Sequence, residues 1–158
     1  MKKFNSFSIF LLIILFGCTS TDVASNYITG QDIKQRYNKL QSFIYSFENE
    51  EQDGAITETS VDVYEINNQQ CAIVGRTFGD SGVGGSETLI FFKNKKMLSG
   101  SLTPFSIVGL KDDAIKITNP KSISYSEPFP NEEVKTMLEE DFKGYIKQIN
   151  KNTLNNCS

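Results

Sequence analysis

The 158-residue chain contains no histidine and no tryptophan, and it has only three cysteines and four prolines. Without histidine, the chain cannot build a Ser-His-Asp or Cys-His nucleophile, a histidine-ligated zinc site, or an imidazole base that titrates near neutral pH. Hydrophobic residues make up 39% of the chain and aromatic residues 11%, which is enough for a hydrophobic core. The length fits one folded domain. The composition therefore excludes histidine-based chemistry and favours a globular chain.

The first residues have the pattern of an export signal. Lys2 and Lys3 precede an apolar run over residues 9–16, which Gly17 and Cys18 close. A positive start, a short apolar run and a small residue are typical of a signal peptide. Eight apolar residues are too few for a membrane span, which needs about 20. We therefore expect export.

The exit from this run, Leu15-Phe16-Gly17-Cys18, resembles the lipobox of bacterial lipoproteins. The resemblance covers residues 1–18 and implies that the chain is cut before Cys18 and lipidated on it, so that the lipid contacts the membrane. Thr19 replaces the aspartate that retains many lipoproteins at the inner membrane. This implies an outer-membrane protein facing the periplasm in a Gram-negative cell. The alternative is an ordinary secretory signal.

The other two cysteines, Cys71 and Cys157, make an even pair in an exported chain. Such a pair predicts a disulfide. Two free thiols and a two-cysteine metal site are the alternatives. We favour the disulfide and expect neither a metal nor a cofactor.

The hydrophobic patterns predict an α+β fold, in which an antiparallel β-meander of about five to seven short strands packs with an N-terminal and a C-terminal amphipathic helix. The first helix is expected from Gly30, with Thr29 and Asp32 as a capping pair, to Leu40 or Gln41, and a strand over 42–48; one helix through Phe47 is the alternative. Further strands are expected over 56–66, 70–78, 87–93, 97–102, 105–108 and 114–118, and the second helix begins after Pro130. We expect both helices on one sheet face, which leaves the other face open.

These patterns divide the chain into three parts. Residues 1–17 form a removable signal peptide, residues 18–28 a lipidated cysteine and polar tether, and residues 29–158 a single globular domain. Loss of Lys2 and Lys3 moves the formal charge from −3 to −5. An acidic domain has no net attraction for nucleic acid, so we expect no such partner.

A glycine-rich stretch over residues 79–85 begins with Gly-Asp-Ser-Gly, which is also found around the nucleophile of trypsin-like proteases. No histidine can activate Ser81, and no lysine follows the glycines as a phosphate-binding loop requires. The stretch therefore predicts a hairpin loop, in which Gly82, Gly84 and Gly85 could contact a partner.

Phe91 and Phe92 are adjacent on a predicted strand, so their side chains point to opposite sheet faces. If one face is open, it presents an aromatic patch of the kind that marks binding surfaces. The acidic clusters over residues 48–53, 132–133 and 139–141 lack EF-hand spacing, and we expect them to be solvated.

Three functional hypotheses follow. The first is a lipid-anchored, non-enzymatic interaction module of the cell envelope, such as an accessory, inhibitor or immunity-type protein, whose partner is another envelope protein. The second is a periplasmic carrier or sensor of a small apolar or lipidic ligand, held between sheet and helices. The third is an enzyme that uses carboxylates alone, such as a glycosidase. We expect a binding protein and not an enzyme.

Overall fold

Six strands form one antiparallel sheet in the order in which they occur in the chain. The computed structural model describes residues 27–49, 55–67, 69–107 and 123–158. In chain order the elements are α1 (Gly30–Arg36), β1 (Asn38–Asn49), β2 (Ala55–Asn67), β3 (Gln70–Phe78), β4 (Gly84–Lys93), β5 (Lys96–Ile107), β6 (Ile123–Tyr125), α2 (Asn131–Gln148) and α3 (Lys151–Asn156). The predicted α+β class and antiparallel meander are confirmed.

Side chains alternate along each strand, and both sheet faces carry a core. On the face that we call the α2 face, α2 and α3 cover apolar strand residues: Val61, Val63, Cys71, Ile73, Ile90 and Phe92. On the opposite face, the α1 face, Ile33 of α1 packs among Tyr64, Ala72, Val74 and Leu89. The prediction that both helices share one face is therefore wrong.

The first helix is shorter than predicted. The Thr29–Asp32 capping box is present, but α1 ends at Arg36 and the chain is extended from Tyr37 onwards. Leu40 and Ile44, which continue the helical spacing, lie in β1. Leu40 packs against the α2-face core and Ile44 is exposed. A two-turn helix that buries one large apolar side chain, Ile33, fits the α1-face core, which has fewer buried residues than the α2-face core.

Two predicted strands, 97–102 and 105–108, are one continuous strand, β5. Pro104 lies inside it and pairs with Ser86 of β4. In the part of the chain that the structure describes, β6 pairs with β5 only at Phe105–Ile107. Proline is tolerated beyond this pairing because the edge uses the Pro104 carbonyl, which accepts a hydrogen bond from the Ser126 N–H, and not a backbone N–H at Pro104. Strand β6 was not predicted. The predicted strand 114–118 lies outside the described residues.

A disulfide joins Cys71 of β3 to Cys157 after α3, with a Cα–Cα distance of 5.4 Å. The structure thus contains the predicted bond, which fixes the C-terminal turn to a central strand. The predicted signal peptide, Cys18 and most of the predicted tether lie outside the described residues. None of the described helices is long and apolar enough to span a membrane.

Candidate ligand-binding cleft

A cleft of about 370 Å³ lies on the α2 face, between α2 and the sheet. We call it the hydroxyl cleft, because four Ser and Thr residues of the central strands line it. Its lining residues are Tyr45, Phe47, Thr59, Thr77, Ser86, Thr88, Leu102, Met137, Glu140 and Asp141. The volume is within the range of small-molecule sites.

The floor of the cleft is a row of hydroxyl groups that the strand register assembles. Thr59 of β2 is opposite Thr77 of β3, which is opposite Ser86 of β4. The Thr59 and Thr77 Oγ1 atoms are 2.6 Å apart and share a hydrogen bond. Among the described residues, the Ser86 hydroxyl has no hydrogen-bond partner. The floor therefore contains a hydroxyl that is free to bind a ligand.

Tyr145 of α2 lies next to the floor. It is almost completely buried, and Thr59 and Thr88 are the neighbouring hydroxyl side chains that act on its pKa. Burial raises the pKa of Tyr145 above its ordinary value, so the phenol stays protonated. Gly75 makes room for this ring, since a Cβ there would lie 3.0 Å from the Tyr145 hydroxyl. The Tyr145 phenol thus lies against the Thr59 end of the floor.

Two acidic residues of α2, Glu140 and Asp141, line the cleft, and Asp141 is the more buried of the two. Burial raises its pKa to about 6; a hydrogen bond with Thr88 opposes this shift and the neighbouring Glu140 adds to it. None of the residues that line the cleft is a lysine or an arginine. The expectation that this acidic cluster is fully solvated is therefore wrong for Asp141, which is half-buried.

Aromatic rings form one wall. The Tyr45 and Phe47 ring centroids are 6.0 Å apart, and Tyr45 meets Tyr145 edge to face at 5.1 Å. Gly144 of α2 admits the Tyr45 ring, because a Cβ there would lie within 3.0 Å of three of its atoms. Phe47 and Met137 are 38% and 41% exposed, so the rim of the cleft is apolar.

A second, more open depression of about 740 Å³ adjoins the cleft and shares Phe47, Thr77 and Ser86 with it. We call it the outer groove. Its lining residues are Phe47, Ile56, Thr57, Glu58, Thr77, Phe78, Gly79, Asp80, Gly85 and Ser86. The glycine-rich stretch therefore borders the opening next to the cleft.

The structure places the predicted contact glycines at different depths. Gly82 is exposed at the tip of the β3–β4 turn, with a positive φ of 67°. Gly84 and Gly85 begin β4, and of the three only Gly85 lines the outer groove. A Cβ at Gly85 would lie 2.0 Å from the Thr77 carbonyl oxygen, so this close approach requires glycine.

The prediction that an exposed aromatic patch includes Phe92 is wrong. Phe92 is fully buried on the α2 face, where its ring lies 5.7 Å from that of Phe142. Phe91 is half-buried against the α1-face core. Because helices cover both faces of β4, neither ring stands on an open sheet face.

Sequence reasoning missed a polar site on the α1 face. The Glu87 carboxylate accepts hydrogen bonds from Arg76 Nε, Tyr125 Oη and the Gly30 backbone N–H. These three bonds join α1, β3, β4 and β6 through one carboxylate, so the site has a structural role in the fold. A charged residue inside an apolar strand was the available signal.

Sequence reasoning also missed the hydroxyl cleft. Alternating Thr and Ser residues in three strands could have indicated one hydroxyl-bearing face, but only the register shows that they meet.

Among the described residues, no group of His, Cys, Asp and Glu side chains could hold a metal ion. Comparison with protein-family models, curated proteins and solved structures found no match to this chain.

Proposed function

We propose that this chain is a lipid-anchored binding protein of the bacterial cell envelope that carries or senses a small ligand in the hydroxyl cleft. The observation that supports this most is the cleft itself, where three hydroxyl-bearing strands, an aromatic wall and a half-buried carboxylate converge within about 370 Å³. Pockets with apolar walls and a few convergent polar groups are the usual form of small-molecule sites. This proposal develops the second of the three hypotheses.

The ligand that fits is more polar than the sequence suggested. A purely lipidic occupant would bury the Ser86 hydroxyl without a hydrogen bond and would remove more water from the Asp141 carboxylate, and both effects are unfavourable. We therefore propose a ligand with polar groups for the floor and an apolar face for Tyr45 and Phe47.

We propose binding and not catalysis. The chain has no histidine, and Ser81 lies in an exposed turn. Asp141 and Glu140 are adjacent on α2, and Glu140 is exposed. Glycan hydrolysis that Asp141→Asn abolishes would contradict this part of the proposal.

A second candidate is the interaction module, now centred on the glycine turn. Ile56 and Val83 are 73% and 44% exposed, and Ile56 and Phe47 line the outer groove beside the turn. Exposed apolar side chains close to a groove favour a protein contact. In this case the partner is another envelope protein.

Native mass spectrometry of the full-length protein, extracted from its membrane in detergent, tests the small-ligand proposal. We expect a copurifying small molecule on the wild type and its loss from Ser86→Phe, which places a ring in the cleft. Ser46→Phe is the matched control, because Ser46 is an exposed β1 residue between Tyr45 and Phe47 that points to the opposite face. Equal retention of the molecule by both variants would overturn the proposal.

Circular dichroism of both variants establishes that they are folded. If the wild type carries no small molecule, and envelope cross-linking captures a protein that Val83→Asp releases, the interaction module replaces the small-ligand proposal.

A further inference from the structure

The hydroxyl cleft contains negative charge without a matching positive charge. Glu140 and Asp141 line it, and no lysine or arginine does. The Asp141 carboxylate is half-buried, and the other side chains that line the cleft are neutral or acidic. A partly desolvated carboxylate without a cation is unfavourable, and a ligand that brings a positive charge would offset this cost.

The floor of the cleft favours hydroxyl groups on the ligand. A Ser or Thr hydroxyl has one proton to donate and two lone pairs that accept. Thr59 and Thr77 bond to each other, whereas Ser86 has no partner among the described residues. A ligand hydroxyl can therefore bond Ser86 directly and use the remaining lone pairs of the threonines.

The aromatic wall is compatible with the same ligand. Tyr45 and Phe47 present rings on the side of the cleft formed by β1. An aromatic face attracts a cation and also packs against the C–H groups of a saturated ring. A flat anionic ligand would meet the two carboxylates instead, so the charge of the site disfavours it.

We propose that the ligand of the hydroxyl cleft is a small hydroxylated amine, such as an amino sugar, whose ammonium group pairs with Asp141 while its hydroxyl groups bond Ser86 and the threonine floor. This inference rests on the proposed function, since it specifies the ligand of the same cleft. It names a chemical class and not a single compound.

Isothermal titration of the full-length protein in detergent at pH 7, with glucosamine and glucose as a matched pair of probes, tests the inference. The two sugars differ in one group, an ammonium in place of a hydroxyl. We expect glucosamine to bind at least tenfold more tightly than glucose. We expect Asp141→Asn to remove this preference by weakening glucosamine binding at least tenfold.

Glu139→Gln is the control variant, because Glu139 is an exposed acid of α2 that does not line the cleft. It should leave both affinities unchanged. Thermal unfolding of each variant establishes that the chain is folded.

The other outcomes separate the inference from the proposed function. Equal binding of both sugars to the wild type would overturn the requirement for a cation and leave the cleft as a ligand site. If neither sugar binds but Ser86→Phe releases a copurified molecule, the proposal of a hydroxylated amine is wrong and the proposal of the hydroxyl cleft as a ligand site stands. Binding of neither sugar and no copurified molecule would overturn both.

Discussion

Arg76 and Glu87 form an ion pair on adjacent strands beneath the N-terminus of α1. Arg76 Nε donates to Glu87 Oε2 at 2.8 Å, and the Glu87 side chain is only 2% exposed. Tyr125 Oη donates to the same oxygen at 2.8 Å, and the Gly30 N–H donates to Oε1 at 2.6 Å. The positive end of the α1 dipole adds a favourable interaction with the carboxylate.

Removal of one partner should leave a buried, unpaired charge. We expect Arg76→Met to lower the free energy of unfolding by about 3–5 kcal/mol, since Glu87 would lose its only ion-pair partner among the described residues. Urea unfolding at pH 7 measures this. Arg36→Met is the matched control, because Arg36 forms an exposed pair with Asp32 at 3.8 Å, a kind worth about 0–1 kcal/mol. Similar losses in both variants would show that the Arg76–Glu87 pair is no stronger than a surface pair.

Gly30 lets the start of α1 lie close against the sheet. A Cβ at this position would lie 2.4 Å from Val74 Cγ1 and 2.6 Å from Glu87 Oε2. We expect Gly30→Ala to destabilise the protein by about 1–3 kcal/mol, because this overpacking outweighs the better helix propensity of alanine. Gln35→Ala, on the exposed side of α1, should be close to neutral.

Hydrogen exchange distinguishes a local from a global effect of Gly30→Ala. We expect faster exchange of the α1 amides, with the β3 and β4 amides still protected. Unchanged α1 exchange would contradict the close approach of helix and sheet.

Local patterns were sufficient to predict most of the sheet. Alternating apolar residues and short connections fixed the antiparallel meander, and the apolar stripe of Val134, Leu138, Phe142 and Tyr145 predicted α2. With Cys18 assigned to the lipobox, the two remaining cysteines predicted the Cys71–Cys157 bond. Each of these signals depends on residues close in sequence or on simple counting.

What sequence could not supply was the face on which each helix packs. Nor could it supply the end of α1: Leu40 and Ile44 continue the helical spacing, but pairing with β2 places both in a strand. The hydroxyl cleft depends on the alignment of Thr59, Thr77 and Ser86 across three strands. Register arises from long-range pairing, so no local pattern contains it.

The proposed membrane anchor is a lipid on Cys18. We expect Cys18→Ala to abolish lipid attachment and cleavage, so that the uncut precursor no longer incorporates radiolabelled palmitate. Cys157→Ala is the matched control, because Cys157 lies in the disulfide and should leave labelling unchanged. Normal cleavage and equal membrane retention of Cys18→Ala would contradict the lipoprotein proposal.

The disulfide should stabilise the fold because it closes a long loop in the unfolded chain, an effect that grows with the logarithm of the loop length. Cys71 and Cys157 are 86 residues apart, and loss of such a bond from a small exported domain costs about 2–5 kcal/mol. We expect the double variant Cys71→Ala, Cys157→Ala to show this loss in urea unfolding. Dithiothreitol should destabilise the wild type and have no effect on the double variant. Equal stability with and without the bond would show that core packing alone holds α3 on the sheet.

Asp141 should make stability depend on pH in the opposite direction to an ordinary paired carboxylate. Burial raises its pKa from 3.8 to about 6, so between these values the folded chain binds more protons than the unfolded chain. The contribution of Asp141 to the free energy of unfolding therefore falls as the pH rises from about 4 to 6. The full pKa shift corresponds to about 3 kcal/mol, and the expected loss is smaller because the carboxylate keeps some contact with solvent. We expect Asp141→Asn to be more stable than the wild type at pH 7, with the difference shrinking towards pH 4.

Urea unfolding of both proteins across this range measures the difference, and Glu139→Gln is the exposed control. A stability difference that does not change with pH would show that Asp141 titrates as a solvated carboxylate, and the desolvated acid in the cleft would then have to be abandoned.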